Sequence, residues 1–421
     1  MVWGSSEKAG SRTAGSEIHL NDDDIEAFFV RNGFDARTRD ACDEYARVRF
    51  PGLEATPTPT QGYCSYTLNL SRDYLLQFRP EAFVLDIDTC SEVKAIYGKY
   101  APTTTYLGKV QDIMIQHVDG SVRSPAMHVY LHKRIPGIPL SEFRKMNGRE
   151  AGDTIYNRRL MRGLAKVFAM GFRGRQPLGD VAKLAGSISK GRIGESMRWR
   201  LGLLNGLPGD DLLRHVSEAQ SRLDDVEASD WCLTHGDVLP GNMMVDAKTG
   251  RLTGLIDWAE AEWLPFGMAL YGVEEVLGED VPSEGFRYYH DHEELRQVFW
   301  SKFLSLTRRE AIQLRQVEAA RKLGILLWRG IAFDDGRIDR VVEAGRDDSE
   351  IQKLRLFLEA PGVLESSDIS RQRSIFWNFR HFSCFGGVER MKMRKRRTRL
   401  RRSGDEGREL ESVVQNVMGK R

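Results

Sequence analysis

Leu233 to Asp246 reads LTHGDVLPGNMMVD, and AKTGRLTGLIDWAEAEW follows it as far as Trp263. Gly236, Pro240 and Gly241 punctuate a loop between two apolar runs, and Asp and Asn favour such loops because their side chains bond nearby backbone. After the loop the pattern predicts a short strand, a turn at Lys248 to Gly250, and a second strand ending in Asp257. A hairpin of that kind brings its strand ends together, so Asp257 is expected beside Asn242 although fifteen positions separate them. Turn preference explains each of these residues singly. It does not explain why two carboxylates, Asp237 and Asp257, should converge with the amide oxygen of Asn242. Phosphoryl transfer needs that set: one carboxylate to accept the proton of an acceptor hydroxyl, and hard oxygen ligands to hold Mg²⁺ against the phosphates.

The spacing H-G-D-x-x-x-x-N followed by I-D-W repeats that of the protein-kinase catalytic loop, H-R-D-x-x-x-x-N followed by D-F-G. HGDVLPGN, LIDWAEAEW and LPFGMALYGVEEVLG together resemble the aminoglycoside phosphotransferase and choline kinase-like family, in the divergent form common among fungal proteins. The likeness spans roughly residues 61 to 333 and is concentrated around Asp237 and Asp257. It implies an α+β, bilobal protein-kinase-like fold with a small β-rich N-lobe, a larger mostly helical C-lobe, and ATP bound between them. It further implies Asp237 as catalytic base, Asn242 and Asp257 as magnesium ligands, and His235 as a support of the loop that takes no part in proton transfer.

Upstream, CSYTLNL and DYLLQFRP alternate as two strands joined by a turn at Ser71 to Asp73. The loop before them, PTQGYCSYTL, is the candidate phosphate-facing turn: Gly62 permits a close bend, and the amides around Cys64 and Ser65 could face phosphate oxygens. A kinase-like third strand carries a cation paired with a helix glutamate. Gln77 stands at the place of that cation, with Arg79 two residues on and on the same strand face, and Glu92 in TCSEVKAIYGKY is the matching acid. The competing reading makes Arg79 a solvent-facing strand residue and lets Glu92 pair locally with Lys94 or Lys99. Tyr130 and His132, at the end of the strand MHVYLHKRI, are the hinge candidates, and RIPGIPL marks the change of direction into the helical lobe. Neither G-x-G-x-x-G nor the P-loop motif occurs, which argues against dinucleotide-binding and P-loop classes.

The 421 residues divide into an unstructured tail (1–21), an N-lobe (22–135), a C-lobe (136–385) and a basic tail (386–421). RMKMRKRRTRLRR, Arg390 to Arg402, holds nine of the 62 basic residues, so a chain of net charge +2 has a body of −7. A run of that kind binds polyanions or an import receptor, which would add a nuclear address to an otherwise cytoplasmic protein. Five scattered cysteines without C-x-x-C spacing favour a reducing compartment over a disulfide framework or a zinc site. No apolar run approaches the length of a transmembrane helix. Glu260, Glu262, Glu274 and Glu275 are acids that could attract a cationic acceptor, or simply a solvated face, and YHDHEE from Tyr289 reads as a surface loop in preference to a metal site. The expected function is ATP- and Mg²⁺-dependent phosphorylation of a hydroxyl on a small molecule. Two rivals stand beside it: a nucleotide-binding pseudokinase or scaffold, suggested by the absent third-strand lysine, and a polyanion-binding protein working through its tail.

Overall fold

The computed structural model describes residues 22–59, 61–110, 127–147, 154–177, 197–282, 284–307, 314–334 and 337–362. Both expected tails lie outside them. The fold is α+β, with a five-stranded sheet in its N-terminal part and mostly helix thereafter. Two compact units are distinguished, one built from the described residues within 18–82 and 107–131, the other from 83–106 and 132–363.

In the first unit, helices α1 (Asp22–Arg31) and α2 (Ala36–Arg49) precede strands β1 (Thr56–Pro57), β2 (Tyr66–Asn69) and β3 (Tyr74–Pro80). Asp35 caps α2 by accepting from the Thr38 amide, which satisfies one of the orphan donors of the first turn. Strands β2 and β3 pair antiparallel with Tyr66 opposite Phe78 and Leu68 opposite Leu76. Those four side chains are fully buried together with Phe28, Phe29 and Phe50 of the helical segment. Because strand side chains alternate, Thr67 and Gln77, which oppose each other, fall on the other face with Ser65 and Arg79. The expected strand pair and its turn are therefore present, and the alternation sets apart one polar face. The sheet, in order β1-β2-β3-β5-β4, is completed by β4 (Thr104–Val110) and β5 (Met127–Lys133).

The second unit begins with α3 (Ile87–Tyr97), capped by Asp86 and starting two residues before the expected Thr89. After β6 (Ile138–Pro139) come α4 (Leu140–Asn147), α5 (Thr154–Arg173), α6 (Met197–Leu203) and α7 (Asp210–Glu227). Strand β7 (Trp231–Thr234) then leads into the quoted loop, followed by β8 (Met243–Val245), β9 (Leu252–Leu255) and β10 (Glu262–Pro265). The remaining elements are α8 (Tyr271–Val276), β11 (Gly278–Val281), β12 (Gly285–Tyr288), α9 (His292–Leu306), α10 (Leu314–Arg329), β13 (Ile331–Asp334), β14 (Arg337–Val341) and α11 (Asp348–Glu359). Helix α10 buries Val317, Ala320, Gly324 and Leu327, the stripe legible in the sequence, but it stops at Arg329 and Ile331–Asp334 turns back as a strand. Phe172, Phe266, Phe299 and Phe303 stack around the α5 and α9 contact and form the aromatic centre of this unit. Among the described residues no helix is long and apolar enough to cross a membrane, and Cys42, Cys64, Cys90 and Cys232 form no disulfide with one another.

Candidate active site

The loop between β7 and β8 is held by its own polar groups. Gly236 has φ +79°, and a Cβ there would stand 2.1 Å from the Glu260 carbonyl oxygen, so this turn admits glycine alone. His235, 3% exposed, accepts from the Asp237 amide at Nδ1 (3.1 Å) and donates from Nε2 to the Ile256 carbonyl (2.8 Å). Both ring nitrogens are thus engaged, and burial pushes the imidazole below its ordinary pKa, so it is neutral. Its ring also packs on Trp258, which in turn meets Tyr97, whose hydroxyl donates to the Leu233 carbonyl. These contacts are those of a support for the loop.

The hairpin of β8 and β9 closes as its sequence implied. Met243 pairs with Leu255, and the Ile256 amide donates to the Asn242 carbonyl at 2.9 Å, which sets Asp257 one residue beyond the partner of Asn242. The Asn242 side-chain nitrogen donates to the Asp237 carboxylate (Oδ2, 2.8 Å) and to the Asp237 carbonyl (3.1 Å). With its nitrogen committed, the amide oxygen of Asn242 accepts no hydrogen bond from the described residues. Asp257 is exposed, makes no hydrogen bond or ion pair with a described group, and at φ +59° is the one non-glycine residue of positive φ among the described residues. A carboxylate held in a sparsely populated conformation without a protein partner is what a hard cation would use. The oxygen donor set therefore fits Mg²⁺, with Asn242 and Asp257 as the groups that would hold it.

Around Gly62 the chain makes a tight turn closed by a bridge between Gly62 and Ser65. The Gln61 side chain pins it from within, accepting from the Thr67 amide and donating to the carbonyls of Thr58 and Thr67. Arg31 closes it from outside, donating to the Tyr63 carbonyl and lying 3.8 Å over the Tyr63 ring. Gln77 donates to the Ser65 hydroxyl (3.1 Å) and accepts from Arg79 Nη1 (3.0 Å), with Thr67 within 3.4 Å. Cys64 is half-buried beside Ser65. At 4% exposure Arg79 is not a solvent-facing strand residue, which removes the competing reading of it. In the other unit, Glu92 accepts from the Trp263 indole at 3.3 Å, while Lys94, one of its expected local partners, donates to the Ala101 carbonyl. Tyr130 is fully buried in β5, and His132 Nδ1 lies 3.0 Å from the Thr104 hydroxyl.

Neither Glu274 nor Glu275, expected as possible attractors of a cationic acceptor or as a solvated face, is available for either part, because both are buried in ion pairs. Glu274 is gripped by Arg296 (3.1 and 2.8 Å) and by the Tyr288 hydroxyl (2.9 Å), and Glu275 pairs with Arg329, which also binds Glu350 at 2.7 Å. Glu262 is buried in β10, and Glu260 is half-buried. In YHDHEE, His292 bonds the Tyr289 carbonyl, and among the described residues no three His, Cys, Asp or Glu side chains form a metal cluster.

Residues 114–298 match the phosphotransferase enzyme family. The match contains the whole loop and hairpin, and with it the resemblance to that family holds. Among solved structures, the chain is similar to the GDP complex of aminoglycoside 2'-phosphotransferase-IIIa (11% identity, 77% of this chain and 99% of that one, TM-score 0.46). It is likewise similar to the gentamicin complex of APH(2'')-IIa (14%, 78% and 97%, TM-score 0.43) and to the choline kinase LicA from Streptococcus pneumoniae (11%, 76% and 100%, TM-score 0.40). No curated protein matches the sequence. The family match supports a phosphotransferase acting on a hydroxyl group.

Two organising residues, one in each unit, escaped sequence reasoning. Tyr271 has its hydroxyl 3.0 Å from the Val238 amide and 3.2 Å from the Gly236 carbonyl. Gln61 organises the N-terminal turn. In both cases the partners are mainly backbone atoms, which leave no mark in a sequence.

Proposed function

We propose that the chain is an ATP- and Mg²⁺-dependent phosphotransferase that moves the γ-phosphoryl group to a hydroxyl of a small molecule. The observation that carries this reading is the closure of loop and hairpin: Asn242 fixes the Asp237 carboxylate at 2.8 Å while its own amide oxygen and the Asp257 carboxylate stay uncommitted. In this reading Asp237 orients the acceptor hydroxyl and takes its proton as the phosphoryl group departs. Asn242 and Asp257 would hold Mg²⁺, which when bound neutralises charge on the phosphates. His235 holds the Asp237 amide and takes no proton. Arg79, buried and steadied by Gln77, would supply the planar donor fork to the nucleotide phosphates in place of a lysine. Gly62, Cys64 and Ser65 would offer main-chain amides, Glu92 would orient the cation, and Tyr130 with His132 would line the hinge.

The reading is tested by thermal unfolding with and without saturating ATP and Mg²⁺, for the natural chain and for Asp257→Ala. Ligand at about a hundred times its dissociation constant adds about 2.7 kcal/mol to the native state, a shift of a few degrees for a chain of this length. The natural chain should gain that shift and Asp257→Ala should lose its magnesium-dependent part. An unresponsive natural chain sinks the proposal. A second reading, a nucleotide-binding relic, is favoured by Gln77 at the place of the usual cation, and it would give the same shift without phosphoryl transfer to any hydroxyl acceptor or to water.

A further inference from the structure

Tyr271 is 2% exposed and its ring is stacked on Trp328 of α10, with centroids 4.7 Å apart and planes 13° from parallel. Its hydroxyl meets two groups, the Gly236 carbonyl at 3.2 Å and the Val238 amide at 3.0 Å. Chemistry fixes the directions. A carbonyl can only accept and an amide can only donate, so the phenol proton goes to Gly236 and the phenol oxygen receives the Val238 hydrogen. The two contacted peptides lie on either side of Asp237.

We infer that Tyr271 is the positioning residue of this loop, a clamp that fixes the main chain before and after Asp237 and thereby the direction in which its carboxylate points. The surrounding sequence is built to deliver that hydroxyl. At Gly272 a Cβ would stand 2.4 Å from Val238, so the glycine next to the tyrosine is what lets α8 approach the loop. Helix α8 has only six residues, too short to stand alone, and it is tied down by Glu274 to Arg296 and by Glu275 to Arg329. The residue that pairs with Glu275 directly follows the residue that backs the Tyr271 ring. Glu274 and Glu275 thus hold the helix that holds the loop. Burial, with the neighbouring Asp237 charge adding to it, raises the Tyr271 phenol well above its ordinary range, so it keeps the proton that the Gly236 bond requires. Tyr271 is accordingly no proton donor in turnover.

The clamp itself stands on geometry, and only its effect on turnover rests on the phosphotransferase reading, so the test has two arms. Amide hydrogen exchange of the natural chain reads the clamp directly. Among the described residues the acceptor of the Val238 amide is the phenol oxygen, and its exchange should be slowed about a hundredfold or more relative to an unbonded loop amide. Rapid exchange at Val238 overturns the inference without any variant being made. In the second arm, Tyr271→Phe keeps the stacked ring and removes the hydroxyl. Acceptor-free hydrolysis of Mg·ATP should lose about tenfold or more in kcat, with KM within about twofold, and exchange should accelerate at residues 235–239 alone. Unchanged kcat and exchange overturn the inference, as does a variant in which KM rises with the fall in kcat and exchange accelerates throughout the chain. If the natural chain hydrolyses no ATP, the phosphotransferase reading suffers, and Val238 exchange still decides the clamp.

Discussion

Removing the Glu274 carboxylate should destabilise the protein far more than removing a surface acid. Arg296 meets it through two guanidinium nitrogens, at 3.1 and 2.8 Å, and Tyr288 adds a third donor at 2.9 Å. Both members of the pair are almost wholly buried, at 2% and 5% exposure. Breaking a buried pair leaves one charge without its counterion, at about 3–5 kcal/mol, whereas an exposed pair contributes about 0–1 kcal/mol. Total stabilities of about 5–15 kcal/mol make that a large fraction. Glu274→Ala should therefore lower the urea midpoint by an amount equivalent to about 3–5 kcal/mol at unchanged slope. Replacing both charges, as Glu274→Leu with Arg296→Met, should recover most of the loss, because apolar residues of similar volume commonly match a buried ion pair. Denaturant unfolding of the natural chain, the single and the double variant, followed by circular dichroism, measures all three. A single variant within about 1 kcal/mol of the natural chain, or a double variant no better than the single, would refute the reasoning and return Glu274 to the candidates for acceptor binding.

Three further outcomes are expected. Arg79→Met should weaken Mg·ATP binding by about tenfold or more, since hydrogen bonds to charged groups contribute about 1.5–3 kcal/mol, and calorimetric affinity equal to that of the natural chain would exclude a phosphate contact. Gly236→Ala combines a left-handed backbone with a Cβ 2.1 Å from a carbonyl oxygen, so a loss of about 2–5 kcal/mol is expected in thermal unfolding and a near-neutral result would contradict the geometry. His235 is lowered by burial, so the unfolded chain binds the extra proton first: its contribution is complete above about pH 6.5 and is lost as pH falls toward the folded pKa, by up to about 1.4 kcal/mol per unit. His215, half-buried on α7 and also lowered by burial, acts in the same window. The contrast between the natural chain and His235→Gln from pH 8 to 5 therefore isolates His235, and identical profiles would show that it titrates freely.

What was legible in the sequence was what chemistry places at fixed spacing. The five positions from Asp237 to Asn242, and a hairpin whose turn lies at Lys248 to Gly250, follow from short-range rules of loops and strands, and the Ile256 to Asn242 bond realises them. Alternation likewise put Gln77 and Arg79 on one strand face, where they are now hydrogen-bonded to each other. What stayed hidden depended on long-range contact. Trp263 reaches Glu92 across 171 positions and Arg329 reaches Glu275 across 54, and an acid that finds a buried cation looks the same in sequence as one facing water. Tyr271 was invisible for a different reason, since backbone groups receive its hydroxyl. Helix α10 was read too far because Ile331 to Phe333 suits a strand as well as it extends an apolar helix stripe.

Asp257 makes the folded chain less stable than it could be. At φ +59° an aspartate is strained relative to glycine, which visits that region freely, by about 1 kcal/mol. Selection for robustness alone would replace it, since its carboxylate makes no hydrogen bond or ion pair with a described side chain. Durability and chemistry thus pull residue 257 in opposite directions. A lineage that abandoned phosphoryl transfer would drift toward glycine here and melt higher for it, so an acid at this position counts against a purely architectural existence for the hairpin.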